Sequence, residues 1–94
     1  MNGREPMAEV RVTVASKVGL HARPAALVAK TAAAQRVPVT IAKAGAEPVP
    51  AGSVLSLLTL GARHGDEVVI AADGDGAKDA VEAVAALVTT ELDG

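Results

Sequence analysis

Cysteine, tryptophan, tyrosine and phenylalanine are all missing from the 94 residues. Without Cys there is no disulfide, no thiolate metal site and no thiol nucleophile. Without aromatic rings the chain lacks the platforms on which single-strand nucleic-acid readers stack bases, and its core must be built from Val, Leu, Ile and Ala. Charge of one sign is never concentrated in a run, and the net charge is only −2. Nucleic acids and anionic membrane surfaces both call for a concentrated basic field, so neither is an expected partner. A small β-α-β-β-α-β nucleic-acid binder, the reading from another class, fails on the same grounds. No apolar run approaches the length of a membrane span, and the opening Met-Asn-Gly-Arg-Glu-Pro has no signal-peptide pattern. A cytoplasmic protein without membrane insertion is the expectation.

What is present suffices for one domain. Half of the residues are apolar, and the length leaves no room for a second core. Residues 1–8 read as a flexible polar tail, with Met7 a possible natural start, and residues 9–94 as the single domain. From Ala8 to Val14, Val10, Val12 and Val14 alternate with Glu9, Arg11 and Thr13, the period of a half-buried strand. Pro24 suits the first turn of a helix. Behind it Ala25, Val28, Ala29 and Ala32 make an apolar stripe at helical spacing that should fade near Arg36, because Pro38 disfavours helical geometry at Val37.

A second strand is expected over Val37–Ile41, a turn over Ala44–Glu47, and a short strand over Pro48–Ala51 whose prolines suit a sheet edge. Ser53 should cap a helix over Val54–Leu60, with Gly61 as its stop. After a turn at Arg63–Asp66, Glu67–Ala72 reads as a buried strand. The Asp73–Gly76 turn then leads to a helix from Ala77 to about Glu91, with Ala80, Val81, Val84, Leu87 and Val88 facing inward. The order β-α-β-β-α-β-α points to an α+β fold, a mostly antiparallel four-stranded sheet with three helices on one face.

His21 stands where the first helix begins, beside its unpaired N–H groups and the positive end of its dipole, a natural anion site. Gly19 lets the backbone turn closely, and Arg23 offers a planar cation suited to phosphate oxygens. A neutral imidazole has a free ring nitrogen that can attack phosphorus. Taken alone, a histidine near a helix start is more often a polar cap or a surface residue. A metal site is not expected, since no second His or Cys lies at ligand spacing, and nothing supports a hydrolase triad.

The stretch Gly19-Leu20-His21-Ala22-Arg23-Pro24-Ala25 resembles the active-site motif of the HPr family of histidine-containing phosphocarrier proteins. Ser53-Val54-Leu55-Ser56-Leu57-Leu58-Thr59-Leu60-Gly61 resembles that family's second signature, and the likeness runs from about Val10 to Leu92. The resemblance implies an open-faced β-sandwich and a carrier of the bacterial sugar phosphotransferase system rather than an enzyme. His21 would accept a phosphoryl group on Nδ1 from enzyme I, with Arg23 steadying it, and pass it to sugar-specific A components of permeases. No cofactor or metal is implied.

The resemblance also makes Ala22, Pro24, Ala26, Val54, Leu55 and Leu58 the partner-docking residues, leaving Leu57 and Leu60 for the core. It makes Ser53 the position of a regulatory serine, modified in some relatives by a serine kinase, and transcription regulators are further possible partners. Val18 departs from the family pattern, which usually has Ser, Thr or Asn there. A docking-only relative without phosphotransfer is the alternative, against which the retained His21 and Arg23 speak. His64 is assigned no function, and a monomer is expected.

Overall fold

The computed structural model describes residues 7–90. Its elements follow the expected order: β1 (Met7–Thr13), α1 (Ala22–Ala33), β2 (Val39–Lys43), β3 (Val49–Pro50), α2 (Val54–Leu60), β4 (Glu67–Asp73) and α3 (Ala77–Val88). The strands form one antiparallel sheet in the order β1-β4-β2-β3. Both β1-α1-β2 and β3-α2-β4 are crossovers between parallel strands that skip one neighbour. The right-handed rule for such crossovers puts both helices on the same face.

Alternation along the strands decides which face that is. Val10, Ile70 and Ile41 lie side by side across the register, as do Ala8, Ala72 and Val39. Ile41, Ile70 and Val68 are fully buried under the helices. From α1 come Ala25, Val28, Ala29 and Ala32, from α2 Leu57, and from α3 Ala80, Val81, Val84 and Val88, completing one core. Glu9, Arg11 and Thr13 point to the other, open face, where Arg11 meets Glu67 at 3.3 Å in an exposed pair of little energetic weight.

Several boundaries differ from expectation, among them the end of α1, at Ala33 rather than near Arg36, and the end of β4, at Asp73 rather than Ala72. Residues 1–6 of the expected tail lie outside the described residues, but Met7 and Ala8 already pair with Asp73 and Ala72, so the strand starts earlier. The second strand is shifted from Val37–Ile41 to Val39–Lys43, because Ala42 and Lys43 find ladder partners in Val69 and Val68. The third strand is confined to Val49–Pro50, at the sheet edge as its prolines suggested. The last helix ends at Val88, with Thr89 as its cap; Glu91 lies outside the described residues. By contrast α2 matches throughout. The Ser53 hydroxyl accepts the Ser56 N–H at 3.2 Å, and Gly61 closes the helix in the left-handed region.

This topology sends α1 away from the end of β1 and brings α2 back towards that end. The start of α1 and the turn after α2 therefore meet at one pole of the molecule.

Candidate functional site

At that pole the loop leading to His21 is tied to the Gly61–Asp66 turn. Val14 N–H donates to Asp66 O at 2.9 Å, and Gly65 N–H donates back to Val14 O at 2.9 Å. Leu20 N–H reaches Ala62 O at 3.0 Å, and Gly19 N–H closes a tight turn onto Ser16 O at 2.9 Å. Gly19 itself has φ +70°, and a Cβ there would lie 2.5 Å from Ala62 O and 2.9 Å from the Arg63 Cα. His64, assigned no function from sequence, is exposed but bonded: its Nδ1 lies 3.1 Å from Ala15 O. A carbonyl can only accept, so Nδ1 carries the proton. Ser16 is buried with its hydroxyl unpartnered among the described residues.

His21 occupies the N-cap of α1 in extended geometry (φ −84°, ψ −168°), yet its side chain makes no capping bond. The cap reading is thereby excluded. Its carbonyl accepts the first helical bond, from Ala25 N–H at 2.7 Å, and its ring is exposed. Pro24 has no N–H, so the free donors of the first turn are those of Ala22 and Arg23. No acidic residue sits in that turn. The Arg23 side chain is exposed, and no hydrogen bond or ion pair engages it among the described residues.

Two open grooves flank the histidine. One, of about 540 Å³, is lined by Val18, His21, Ala22, Arg23 and Pro24. The other, of about 380 Å³, is lined by Leu20, His21, Leu58, Gly61, Ala62 and Arg63. His21 is the residue they share. An exposed imidazole that shares one groove with Arg23 and the other with Arg63, beside the first-turn donors of α1, has the chemistry to receive a phosphate-sized dianion.

The remaining sequence candidates divide. Ala22 and Ala26 are exposed on α1, and Val54, Leu55 and Leu58 are exposed on α2, with Leu55 at 72%. Leu57 is fully buried, and Leu60 packs against the core. Pro24 must be corrected as a surface residue: its side chain is fully buried, because a first-turn ring beside buried Ala25 faces the core. Its contribution is to the start of the helix. Ser53 is not brought to His21. A Cβ on neighbouring Gly52 would touch Ala33 at 3.5 Å, so Ser53 lies at the far end of α1, whose 12 residues span about 18 Å.

Two contributors to this face, Leu27 and Arg63, escaped the sequence reading, and Val18 entered it only as a departure from the family pattern. Val18 and Leu27 are exposed apolar side chains, at 48% and 42%, and Arg63 lines the second groove. Leu27 could have been found by its place off the buried Ala25–Val28–Ala29–Ala32 stripe and four residues after Arg23. Arg63 could have been found by counting acids. No Asp or Glu occurs from Val10 to Ala46, where six Lys and Arg fall, nor from Pro48 to Gly65, where Arg63 stands. From Asp66 onward acids dominate, and Lys78 is the only cation. The modest net charge conceals this segregation.

Comparison with known proteins agrees with the geometry. A family model described as "PTS HPr component phosphorylation site" matches residues 8–90. A phosphocarrier protein HPr from Streptomyces coelicolor is 52% identical over 87 residues, covering 93% of this chain and 94% of the relative. The crystal structure of a phosphocarrier protein HPr from Bacillus anthracis superposes with a TM-score of 0.81 at 38% identity, covering 87% of this chain and 96% of that one. The HPr-like protein Crh of Bacillus subtilis is 37% identical over 86 residues, covering 92% of this chain and all of the relative.

Proposed function

Because the chain belongs to the HPr family and serves as a phosphocarrier of the sugar phosphotransferase system, we propose that His21 carries the phosphoryl group and that Arg23 steadies it. The observation that supports this most is the exposed His21 ring at a helix N-terminus, unused as a cap, with an unpaired guanidinium two residues on. In the proposed step an unprotonated ring nitrogen of His21, Nδ1 by family resemblance, attacks phosphorus on a phosphohistidine of enzyme I. The new N–P bond forms as the donor's N–P bond breaks, and the reverse sequence delivers the group to a sugar-specific A component. The protein's part is positioning and charge neutralisation. Arg23 and the N–H groups of Ala22 and Arg23 meet oxygens that stay negative throughout, so no metal or cofactor is called for.

The partners belong to the phosphotransferase system. We propose that enzyme I and the A components dock on Ala22, Ala26, Val54, Leu55 and Leu58, widened by Val18 and Leu27. Of the six large apolar side chains exposed among the described residues, only Met7 lies away from this face, and such a patch marks an interaction surface. Pro24 supports it from beneath. Phosphorylation of Ser53 by a serine kinase would place a dianion at the start of α2, beside Val54 and Leu55. It would there oppose a partner attracted by the basic surroundings. Transcription regulators would read the same face. No helix among the described residues is long and apolar enough to cross a membrane; a cytoplasmic, monomeric carrier is part of the proposal.

The docking-only alternative is the less supported reading, since the Streptomyces coelicolor phosphocarrier is more similar to the chain than Crh is and His21 and Arg23 are both present. Intact-mass measurement after incubation with phosphoenolpyruvate, Mg²⁺ and enzyme I tests the assignment. One acid-labile phosphoryl group should be gained by the native chain and not by His21→Ala. Equal labelling of both would remove His21 from the role.

A further inference from the structure

We propose that Arg63 is a second positioning cation for the phosphoryl group, acting from the groove on the other side of His21; this rests on the reading of His21 as the phosphorylated residue. Three observations carry it. Arg63 and His21 line the same groove, together with Leu20, Leu58, Gly61 and Ala62. The Arg63 Cα lies where a side chain on Gly19 would have to go, and Gly19 is two residues from His21, a span of at most about 7 Å. Finally, the guanidinium is uncommitted: among the described residues it makes no hydrogen bond or ion pair.

The nearest acid in the chain, Asp66, is used otherwise. Its Oδ2 accepts the Arg63 backbone N–H at 2.9 Å and lies 3.7 Å from Lys43 Nζ, while Asp66 N–H donates to Arg63 O at 3.0 Å. The turn thus fixes the Arg63 backbone without neutralising its side chain. A phosphoryl group has three terminal oxygens. Arg23 and the α1 donors approach from the first groove, which leaves an oxygen facing the second, where an arginine fork suits it. Arg63 forms and breaks no bond.

The test is made on the full chain, labelled with phosphoenolpyruvate, Mg²⁺ and catalytic enzyme I and then freed of them, by following the phosphohistidine ³¹P signal against pH. A cation beside the group favours its dianion and lowers the titration midpoint. Arg63→Ala should therefore raise the midpoint by roughly 0.2–0.7 pH unit, the scale of a surface ion pair. Arg63→Lys should recover most of that shift, and the melting temperature should not change. A titration of Arg63→Ala that superimposes on the native curve overturns the proposal, even if transfer from enzyme I slows, since Arg63 would then address the partner. Failure of the native chain to take label, or equal label on His21→Ala, is a separate result that strikes the reading of His21.

Discussion

Gly19 has no room for a side chain: φ is +70°, and a methyl group would press into the Ala62 carbonyl and the Arg63 Cα. Gly19→Ala should cost at least about 1–3 kcal/mol, combining left-handed strain with a forced backbone shift. Urea unfolding reads it directly, and an unchanged midpoint would contradict the close approach. Ser16 runs the other way. Its buried hydroxyl has no partner among the described residues, and an unsatisfied buried group costs about 1–3 kcal/mol. Ser16→Ala should therefore leave stability equal or higher, and a clear loss would reveal a partner for the hydroxyl. His21, Arg23 and Gly19 are legible because they lie close together in sequence and form a motif that resembles the family's, whereas residue chemistry alone leaves a cap or surface reading open. The His64 bond to Ala15 O was not, since it joins residues 49 apart in sequence and periodicity carries no such information.

At the scale of elements, α2 separates buried from exposed leucines within seven residues. Leu57 is fully buried and Leu55 largely exposed. Leu57→Ala should cost about 2–5 kcal/mol. Leu55→Ala should stay within about 0.5 kcal/mol while raising the KM of enzyme I for the carrier. Thermal melts beside steady-state transfer check the contrast, and equal destabilisation by both would remove the docking assignment. Ser53→Ala should cost about 1 kcal/mol through its lost cap bond, a loss that Ser53→Asp should largely avoid, since Asp also caps. Helix α2 could be read from sequence to its last residue because cap, stripe and stop are all local. The strand β2 could not, because Ala42 and Lys43 become strand only by pairing with β4, a partner supplied by the rest of the fold.

The whole molecule is electrically polar in a way that a net charge of −2 hides. Lys17, Arg23 and Arg63 fall on the loops and helix start at the His21 pole, with Arg11 and Lys43 on strands and Lys30 and Arg36 towards the far end of α1, while acids gather on β4, its following turn and α3. Such a field steers an acidic partner to one face and is screened over about 10 Å at 0.1 M salt. The second-order rate of phosphorylation by enzyme I should fall several-fold between low and physiological ionic strength. Stopped-flow or quench measurements at a few salt concentrations test this, and a salt-independent rate would contradict steering. One pole joins the start of α1 to the turn after α2, and sequence alone does not reveal that meeting, because it follows from the two interleaved crossovers.

The most direct measurement is a chase. The chain is phosphorylated with phosphoenolpyruvate and enzyme I, purified, and mapped by mass spectrometry under conditions that preserve phosphohistidine. A sugar-specific A component is then added. The phosphoryl group should be found on His21 and should leave it for the A component, with the carrier returning to its original mass. A label on any other residue, or one on His21 that the A component cannot remove, would contradict the account.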